Sequence, residues 1–149
     1  MRIISTQFTL ETQSLELYLA GCDGVCKDCF SPETWDFNQG APYEWYTLKI
    51  ENKIKKFNNL IKWVWVLGGE PLLNDNLPDL LDILQGYKKP IVLFTRFELD
   101  GISDSIKDRC DYIKTGMYDK TKLSKNEYYG IELASSNQRV WKKEGLEWI

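Results

Sequence analysis

Three cysteines within a span of eight residues, Cys22, Cys26 and Cys29, are the side chains of this sequence best suited to chemistry. Their spacing is C-x3-C-x2-C, and three thiolates can wrap a [4Fe–4S] cluster and leave its fourth iron without a protein ligand. A structural zinc site takes four ligands, but the chain has no histidine, and its remaining cysteine, Cys110, lies far downstream. The triplet therefore predicts an iron–sulfur cluster with one open coordination position. Two other interpretations stay open: a zinc knuckle completed by Cys110 or an outside ligand, and ordinary core cysteines without a metal.

The segment Gly68-Gly69-Glu70-Pro71 follows a short apolar run that is typical of a buried strand. Glycines often end strands, so a simple turn is one interpretation. Opposite a cluster with an open iron, two glycines would let the backbone approach a ligand closely. Glu70 would then offer a carboxylate to an ammonium group. The segment predicts a binding site for the amino-acid part of a ligand.

Two polar residues further along the chain are candidates for the same site. Thr95 ends the next apolar run, where a threonine also serves as a turn or cap residue. Lys114 lies near the end of a later run, and it is either solvated, paired or close to the mouth of the site. We expect Cys110 to be an inert buried thiol.

The composition is that of one globular domain. The 149 residues include 43% hydrophobic side chains, so we expect a single domain over residues 1–149. A formal net charge of −3 gives no general attraction to nucleic acid. We find no N-terminal signal segment and no stretch that approaches the roughly 20 apolar residues of a membrane span. Tightly grouped cysteines without an export signal favour metal ligation in the reducing cytoplasm.

Apolar periodicity predicts alternating strands and helices. The stripe Ile50, Ile54, Phe57 and Ile61 indicates an amphipathic helix, and Asn76 is a plausible N-cap for a second helix that ends at Gly86. A short helix is expected over 103–109. Strands are predicted at 14–19, 63–67, 90–95 and 111–114, with further candidates at 3–10, on an edge, and at 130–133. This alternation predicts an α/β fold with a mostly parallel sheet.

The chemically suited residues converge on this predicted sheet. The cysteines follow the first main strand, Gly68 to Glu70 follow the second, and Thr95 ends the third. Because the carboxyl ends of parallel strands meet at one edge of a sheet, these residues are expected to gather there.

With these motifs placed, the chain resembles radical S-adenosylmethionine (SAM) enzymes, and within them the small activating enzymes of anaerobic (class III) ribonucleotide reductase. The resemblance is carried by the cysteine spacing, by the run Cys29-Phe-Ser-Pro-Glu-Thr-Trp-Asp36 and by Leu67-Gly-Gly-Glu-Pro-Leu72. The later segments Asp111-Tyr-Ile-Lys-Thr-Gly116 and Ala134-Ser-Ser-Asn-Gln-Arg139 match in kind and order. The similarity spans nearly the whole chain.

The resemblance implies a role for each site residue. Cys22, Cys26 and Cys29 would hold a [4Fe–4S] cluster whose free iron is chelated by the amine and carboxylate of SAM. The remaining roles concern SAM itself: the methionine end would meet Gly68, Gly69 and Glu70, the adenine would lie near Asp28 and Phe30, and the ribose would lie near Thr95.

The resemblance also implies the fold, the reaction and the partners. The fold would be a partial (β/α) barrel of about five or six mostly parallel strands. Reductive cleavage of SAM would release a 5′-deoxyadenosyl radical, which would generate a glycyl radical on the large subunit of anaerobic ribonucleotide reductase. An electron donor such as flavodoxin or ferredoxin would reduce the cluster. The alternatives are radical modification of another protein or peptide, and a non-catalytic iron–sulfur or zinc module.

The chain departs from the family pattern at three places. Asp28 stands before the last cysteine, where an aromatic residue is common, and Gly24 stands where family members often have histidine. The segment Glu11-Thr-Gln-Ser14 replaces the usual Gly-Pro-Gly-x-Arg.

Overall fold

The structure, a computed structural model, describes residues 1–24, 29, 32–73 and 75–149. Its strands are β1 (Arg2–Thr9), β2 (Ser14–Ala20), β3 (Ala41–Pro42), β4 (Trp63–Gly68), β5 (Ile91–Phe94), β6 (Tyr112–Thr115), β7 (Glu127–Tyr128), β8 (Ile131–Glu132), β9 (Arg139–Glu144) and β10 (Glu147–Trp148). Its α-helices are α1 (Tyr43–Lys56), α2 (Leu77–Gly86) and α3 (Asp104–Lys107), and short 3-10 turns lie at Pro32–Thr34, Leu99–Gly101 and Lys120–Lys122.

An eight-stranded mixed sheet forms the centre of the described chain, in the order β10-β9-β6-β5-β4-β2-β1-β3. Neighbouring strands β2, β4, β5 and β6 run parallel, and their connections pass through α1, α2 and α3. Two parallel neighbouring strands require a long crossover connection, usually a helix, and the connections here have that form. β1 and β9 flank the parallel strands and are antiparallel to β2 and β6. β7 and β8 pair separately as a small hairpin.

Within the described residues the main sheet has eight strands, of which four are parallel, whereas the prediction was about five or six mostly parallel strands. β1 enters β2 through a tight turn in which Gln13 has a φ of 54°, so these two strands must be antiparallel. Between β6 and β9 the chain forms a 3-10 turn and the β7–β8 hairpin instead of a crossover helix, so β9 returns antiparallel. The strand predicted over 130–133 lies in that hairpin, outside the main sheet. The partial barrel remains a prediction.

Side-chain alternation separates the two faces of the sheet. On one face, Leu15, Leu17 and Leu19 of β2 pack with residues of the helices in the larger core. On the other face, the buried residues include Trp63 and Trp65 of β4. The second face has a smaller core, and the hairpin region packs on it. That smaller core joins Trp63, Trp65, Val92, Ile131, Leu133 and Val140. It fills the amino-terminal part of the face and leaves the carboxyl-terminal part open.

The helices differ in detail from the sequence predictions. α1 begins at Tyr43 and ends at Lys56, so Phe57 and Ile61 follow the helix, although both still pack in the larger core. α3 is shorter than the predicted 103–109. Asn76 stands at the N-cap position of α2, but its side chain makes no capping bond. Its Nδ2 instead donates to the Glu70 carbonyl oxygen at 3.0 Å, with Asn76 only 1% exposed.

Both edges of the main sheet are covered. β1 was predicted at an edge, but β3 pairs with its first residues, and two side chains of α1 bond to carbonyl groups further along β1. Tyr46 Oη donates to the Ile4 carbonyl at 3.3 Å, and Lys53 Nζ donates to the Thr6 carbonyl at 2.8 Å. On the other side β10 pairs with β9, and the Lys142 amide donates to the Ile149 carbonyl at 2.8 Å.

A search of the described part of the chain for a helix of sufficient length and hydrophobicity to cross a membrane found none.

Candidate active site

A cavity of about 900 Å³ lies at the carboxyl ends of the four parallel strands. Each of these strands contributes a residue to its wall: Tyr18 from β2, Leu67 from β4, Phe94 from β5 and Lys114 from β6. The opposite wall comes from residues 123–125 and 132–134. Of the site residues predicted from sequence, the same cavity brings together Cys22, Cys29, Gly68, Gly69, Glu70 and Thr95. The other predicted site residues, Cys26, Asp28 and Phe30, lie outside the described residues.

The cysteines divide into two environments. Cys22 and Cys29 are half-buried in the cavity wall. Cys110 is buried in the larger core, before the amino end of β6 and so at the opposite end of the sheet from the cavity. Burial raises the pKa of the Cys110 thiol to about 12, which makes it a poor nucleophile at neutral pH. A zinc knuckle completed by Cys110 does not fit this structure, because Cys110 lies in the core and away from the cavity that Cys22 and Cys29 line.

The donors of the cavity fit an iron–sulfur cluster. Soft thiolate ligands select such clusters, and Cys22 and Cys29 both line this one cavity. Burial raises the pKa of the Cys22 thiol, and the Gly24 amide and the nearby Arg96 guanidinium oppose that shift. Two backbone bonds fix the start of the cysteine loop, since Gly21 N–H donates to the Thr34 carbonyl at 2.7 Å and Cys22 N–H donates to the Trp35 carbonyl at 3.1 Å.

Gly68 and Gly69 let the end of β4 lie directly on the backbone that leads into the cysteine loop. A Cβ on Gly69 would lie 2.3 Å from the Gly21 carbonyl oxygen, and one on Gly68 would lie 2.6 Å from the Leu19 amide nitrogen. Gly68 also has a φ of +110°, which favours glycine. Gly69 N–H donates to the Leu19 carbonyl at 2.8 Å. The contact that requires these glycines is therefore one within the chain itself, and it sets the position of Cys22.

Glu70 ties the ends of β4 and β5 together. It is 3% exposed, and its Oε1 accepts bonds from the Leu72 amide at 3.0 Å and the Thr95 hydroxyl at 2.7 Å. Its Oε2 accepts from the Arg96 amide at 2.9 Å. Burial raises the pKa of this carboxyl, and the three hydrogen bonds oppose the shift. Sequence reasoning found Glu70 and Thr95 separately, whereas the structure joins them by a direct bond.

Arg96 is a site residue that the sequence analysis missed. Its guanidinium bonds both carboxylate oxygens of Asp23, with Nη2 to Oδ2 at 2.7 Å, and its Nη1 donates to Cys22 Sγ at 3.5 Å. The adjacent Asp23 raises the pKa of the guanidinium further above its ordinary value, so Arg96 is always charged. The one signal available in the sequence was its position directly after a strand-ending threonine. The contact with Asp23 could not be read from the sequence, because the two residues are 73 positions apart.

Lys114 places an ammonium group in the cavity wall. It lies 5.4 Å from the centre of the Phe94 ring, and Lys125 and Glu132 line the same cavity. Burial lowers the pKa of Lys114 to about 8. The sequence left Lys114 open between a solvated, a paired and a site position, and the structure places it in the cavity wall.

Lys114→Met is expected to raise the free energy of unfolding at pH 7 by roughly 1–3 kcal/mol, because one pKa unit corresponds to about 1.4 kcal/mol and the Phe94 contact offsets part of the gain. The folded pKa of about 8 lies below the ordinary 10.5, so the unfolded chain binds more protons between those values. Wild-type stability therefore rises with pH in that window, and the advantage of the variant shrinks there. Urea unfolding of the apoprotein at pH 7 and pH 10.5 measures both effects. Equal stability of the two proteins at pH 7 would contradict the assignment.

The segment from Ser135 to Gln138 bonds to the chain's own backbone. Gln138 Oε1 accepts from the Ser135 amide at 3.2 Å, and its Nε2 donates to the Gly116 carbonyl at 3.2 Å. Asn137 Nδ2 donates to the Met117 carbonyl at 2.7 Å. The segment thus fixes the loop after β6 beside the cavity.

Comparison with known proteins matches this arrangement to a known group. The family model described as a 4Fe-4S single cluster domain matches residues 12–141, from the turn before β2 into β9. The anaerobic ribonucleoside-triphosphate reductase-activating protein of Escherichia coli is 30% identical over 135 residues, which cover 83% of this chain and 84% of that protein. The chain belongs to this 4Fe-4S single cluster family.

Two further relatives carry the same protein name. The one from Salmonella typhimurium is 29% identical over 133 residues, covering 83% of this chain and 84% of that protein. The one from Enterobacteria phage T4 is 26% identical over 139 residues, covering 89% and 85%. The resemblance to anaerobic reductase-activating enzymes seen in the motifs is confirmed, and the family supports an iron–sulfur cofactor.

Proposed function

We propose that this chain is a radical SAM activase that generates a glycyl radical on an anaerobic ribonucleoside-triphosphate reductase. One observation carries the proposal: Cys22, Cys29 and the Gly68–Glu70 strand end line a single cavity of about 900 Å³. That volume is in the range of small-molecule sites, which is about 300–1,000 Å³. The relatives named as reductase-activating proteins align with most of the chain, and their name supports a reductase as the partner.

Cys22, Cys26 and Cys29 would hold the [4Fe–4S] cluster, and SAM would enter the cavity with its methionine end towards Gly68, Gly69 and Glu70. When bound, the cluster would supply the electron that cleaves SAM to the 5′-deoxyadenosyl radical, which takes a hydrogen atom from a glycine of the large reductase subunit. The cofactors perform the difficult chemistry, and the protein binds, orients and shields them. Flavodoxin or ferredoxin is the proposed class of electron donor.

The described side chains would act mainly by positioning. Glu70 has three of its roughly four lone-pair directions occupied by the chain, so one acceptor direction remains for the SAM ammonium group. Thr95 donates to Glu70 and accepts from the Phe97 amide at 3.2 Å, so its hydroxyl would meet the ribose only as an additional acceptor. Asp28 and Phe30 are proposed to lie near the adenine. Because Glu70 and Thr95 are held by backbone amides, the site is preorganised before SAM binds.

The proposed function predicts two products in sequence. Protein reconstituted anaerobically with iron and sulfide, then given dithionite and SAM, is expected to form 5′-deoxyadenosine, measured by liquid chromatography. Adding the large reductase subunit is expected to produce a glycine-centred EPR doublet. Loaded protein that forms no 5′-deoxyadenosine would contradict the radical SAM assignment. Cleavage of SAM without the doublet would instead indicate another protein or peptide substrate.

A further inference from the structure

We propose that Arg96, held by Asp23, is a positioning residue that tunes the cluster by hydrogen bonding to the Cys22 sulfur. Its Nη1 lies 3.5 Å from Cys22 Sγ, within the distance of a hydrogen bond to sulfur. The inference rests on the iron–sulfur part of the proposed function, since it requires Cys22 to be a cluster ligand.

The pairing with Asp23 sets the direction in which the guanidinium points. Two parallel N–H bonds to the two carboxylate oxygens fix the plane of the group, and this leaves one N–H of Nη1 for the sulfur. The Arg96 side chain is 12% exposed, while that of Asp23 is 44% exposed. The guanidinium also lies 5.0 Å from the centre of the Phe97 ring. Arg96 is thus the buried partner, and Asp23 fixes it from the solvent side.

The backbone of Arg96 is fixed independently of its side chain. Its amide donates to Glu70 Oε2 at 2.9 Å, which ties the start of the side chain to the end of β4. Substitution of the side chain keeps this amide. Variants at position 96 therefore change the contact with sulfur while the bond between Glu70 and the backbone remains available.

The sign of the effect follows from charge. A cluster gains one negative charge on reduction, so a cation and an N–H donor at a ligand sulfur stabilise the reduced form more than the oxidised form. Arg96 is therefore expected to raise the reduction potential. We expect about a tenfold change in the reduction equilibrium constant, equivalent to about 59 mV for one electron.

The test is an EPR-monitored redox titration of reconstituted protein without SAM, in the wild type and in Arg96→Gln. The variant is expected to have a potential about 59 mV lower, which is the tenfold change in equilibrium constant. A double variant, Arg96→Gln with Asp23→Asn, removes one charge of each sign and keeps the net charge of the pair. Its potential is expected to stay below that of the wild type, because the bond to sulfur is still absent.

Three outcomes would overturn the proposal. An unchanged potential in Arg96→Gln would show that the guanidinium does not act on the cluster. If the double variant has the wild-type reduction potential, then the net charge of the pair sets the potential and the hydrogen bond to sulfur does not. If either variant loses its cluster, Arg96→Lys is titrated instead. A smaller fall in potential is expected, and an unchanged potential would again contradict a role for the forked guanidinium.

Iron and sulfide analysis of the wild type comes before any titration. A wild type that holds no cluster would refute the proposed function itself.

Discussion

Cys22→Ala is expected to lose the cluster and to lower 5′-deoxyadenosine formation by at least about 100-fold, since even residues that only support metal ligands cost 10–100-fold when removed. Two remaining thiolates cannot be expected to retain a cluster that three would hold. Iron and sulfide content after anaerobic reconstitution, followed by the SAM cleavage assay, measures both losses.

Cys110→Ala is the matched control for this loss of one thiol. Cys110 is buried in the larger core and away from the cavity, so its removal is expected to cost roughly 1 kcal/mol of stability and to leave iron content unchanged. Full iron content in Cys22→Ala would refute the assignment of Cys22 as a ligand. Loss of iron in Cys110→Ala would contradict its placement outside the site.

Gly69→Ala is expected to destabilise the protein by roughly 3 kcal/mol and to prevent cluster assembly, because the new methyl group meets backbone that cannot move aside. Its Cβ would lie 2.3 Å from the Gly21 carbonyl oxygen and 2.9 Å from the Gly21 nitrogen. Separating the two segments would break the bond from Glu70 N–H to the Gly21 carbonyl, now 2.9 Å long. Cys22 would be displaced with Gly21.

Gly86→Ala is the control for this glycine substitution. Gly86 closes α2, and a Cβ there would have nothing within 4 Å. We expect this variant to be neutral or more stable by up to about 1 kcal/mol, because alanine is the better helix former. Urea midpoints and iron content of both variants make the comparison. Wild-type values for Gly69→Ala would show that the end of β4 and the cysteine loop are not in close contact.

The central strands and α2 could be predicted from sequence because their apolar patterns are strong. Trp63 to Leu67 form a continuous apolar run, and β2 alternates clearly. β9 has one fully buried residue, Val140, among charged neighbours, so its pattern is that of an exposed segment. The apolar pattern also does not predict whether a strand runs parallel or antiparallel to its neighbour, since that depends on whether the connection forms a helix or a hairpin. This is why the described sheet has four parallel strands among eight, where about five or six mostly parallel strands were expected.

The candidate site could be predicted wherever one residue type implies a chemistry. Cysteines at metal-binding spacing and a glutamate after two glycines have that property. Arg96 and Asp23 do not, because arginine and aspartate are common surface residue types, and only the fold brings these two together. Asn76 stands at the predicted N-cap position, but the local cap pattern could not show that its side-chain amide donates to the Glu70 carbonyl on the preceding loop, 3.0 Å away.

The covering of both sheet edges limits how another protein can attach to this one. Tyr46 and Lys53 occupy carbonyls of β1 that an added strand would need, and the bonds between Lys142 and Ile149 occupy the last strands on the other side. Unpaired edges otherwise recruit foreign strands and promote aggregation. Recognition by β-augmentation is thus disfavoured at these backbone groups, and side-chain surfaces such as the rim of the cavity remain for association with another chain.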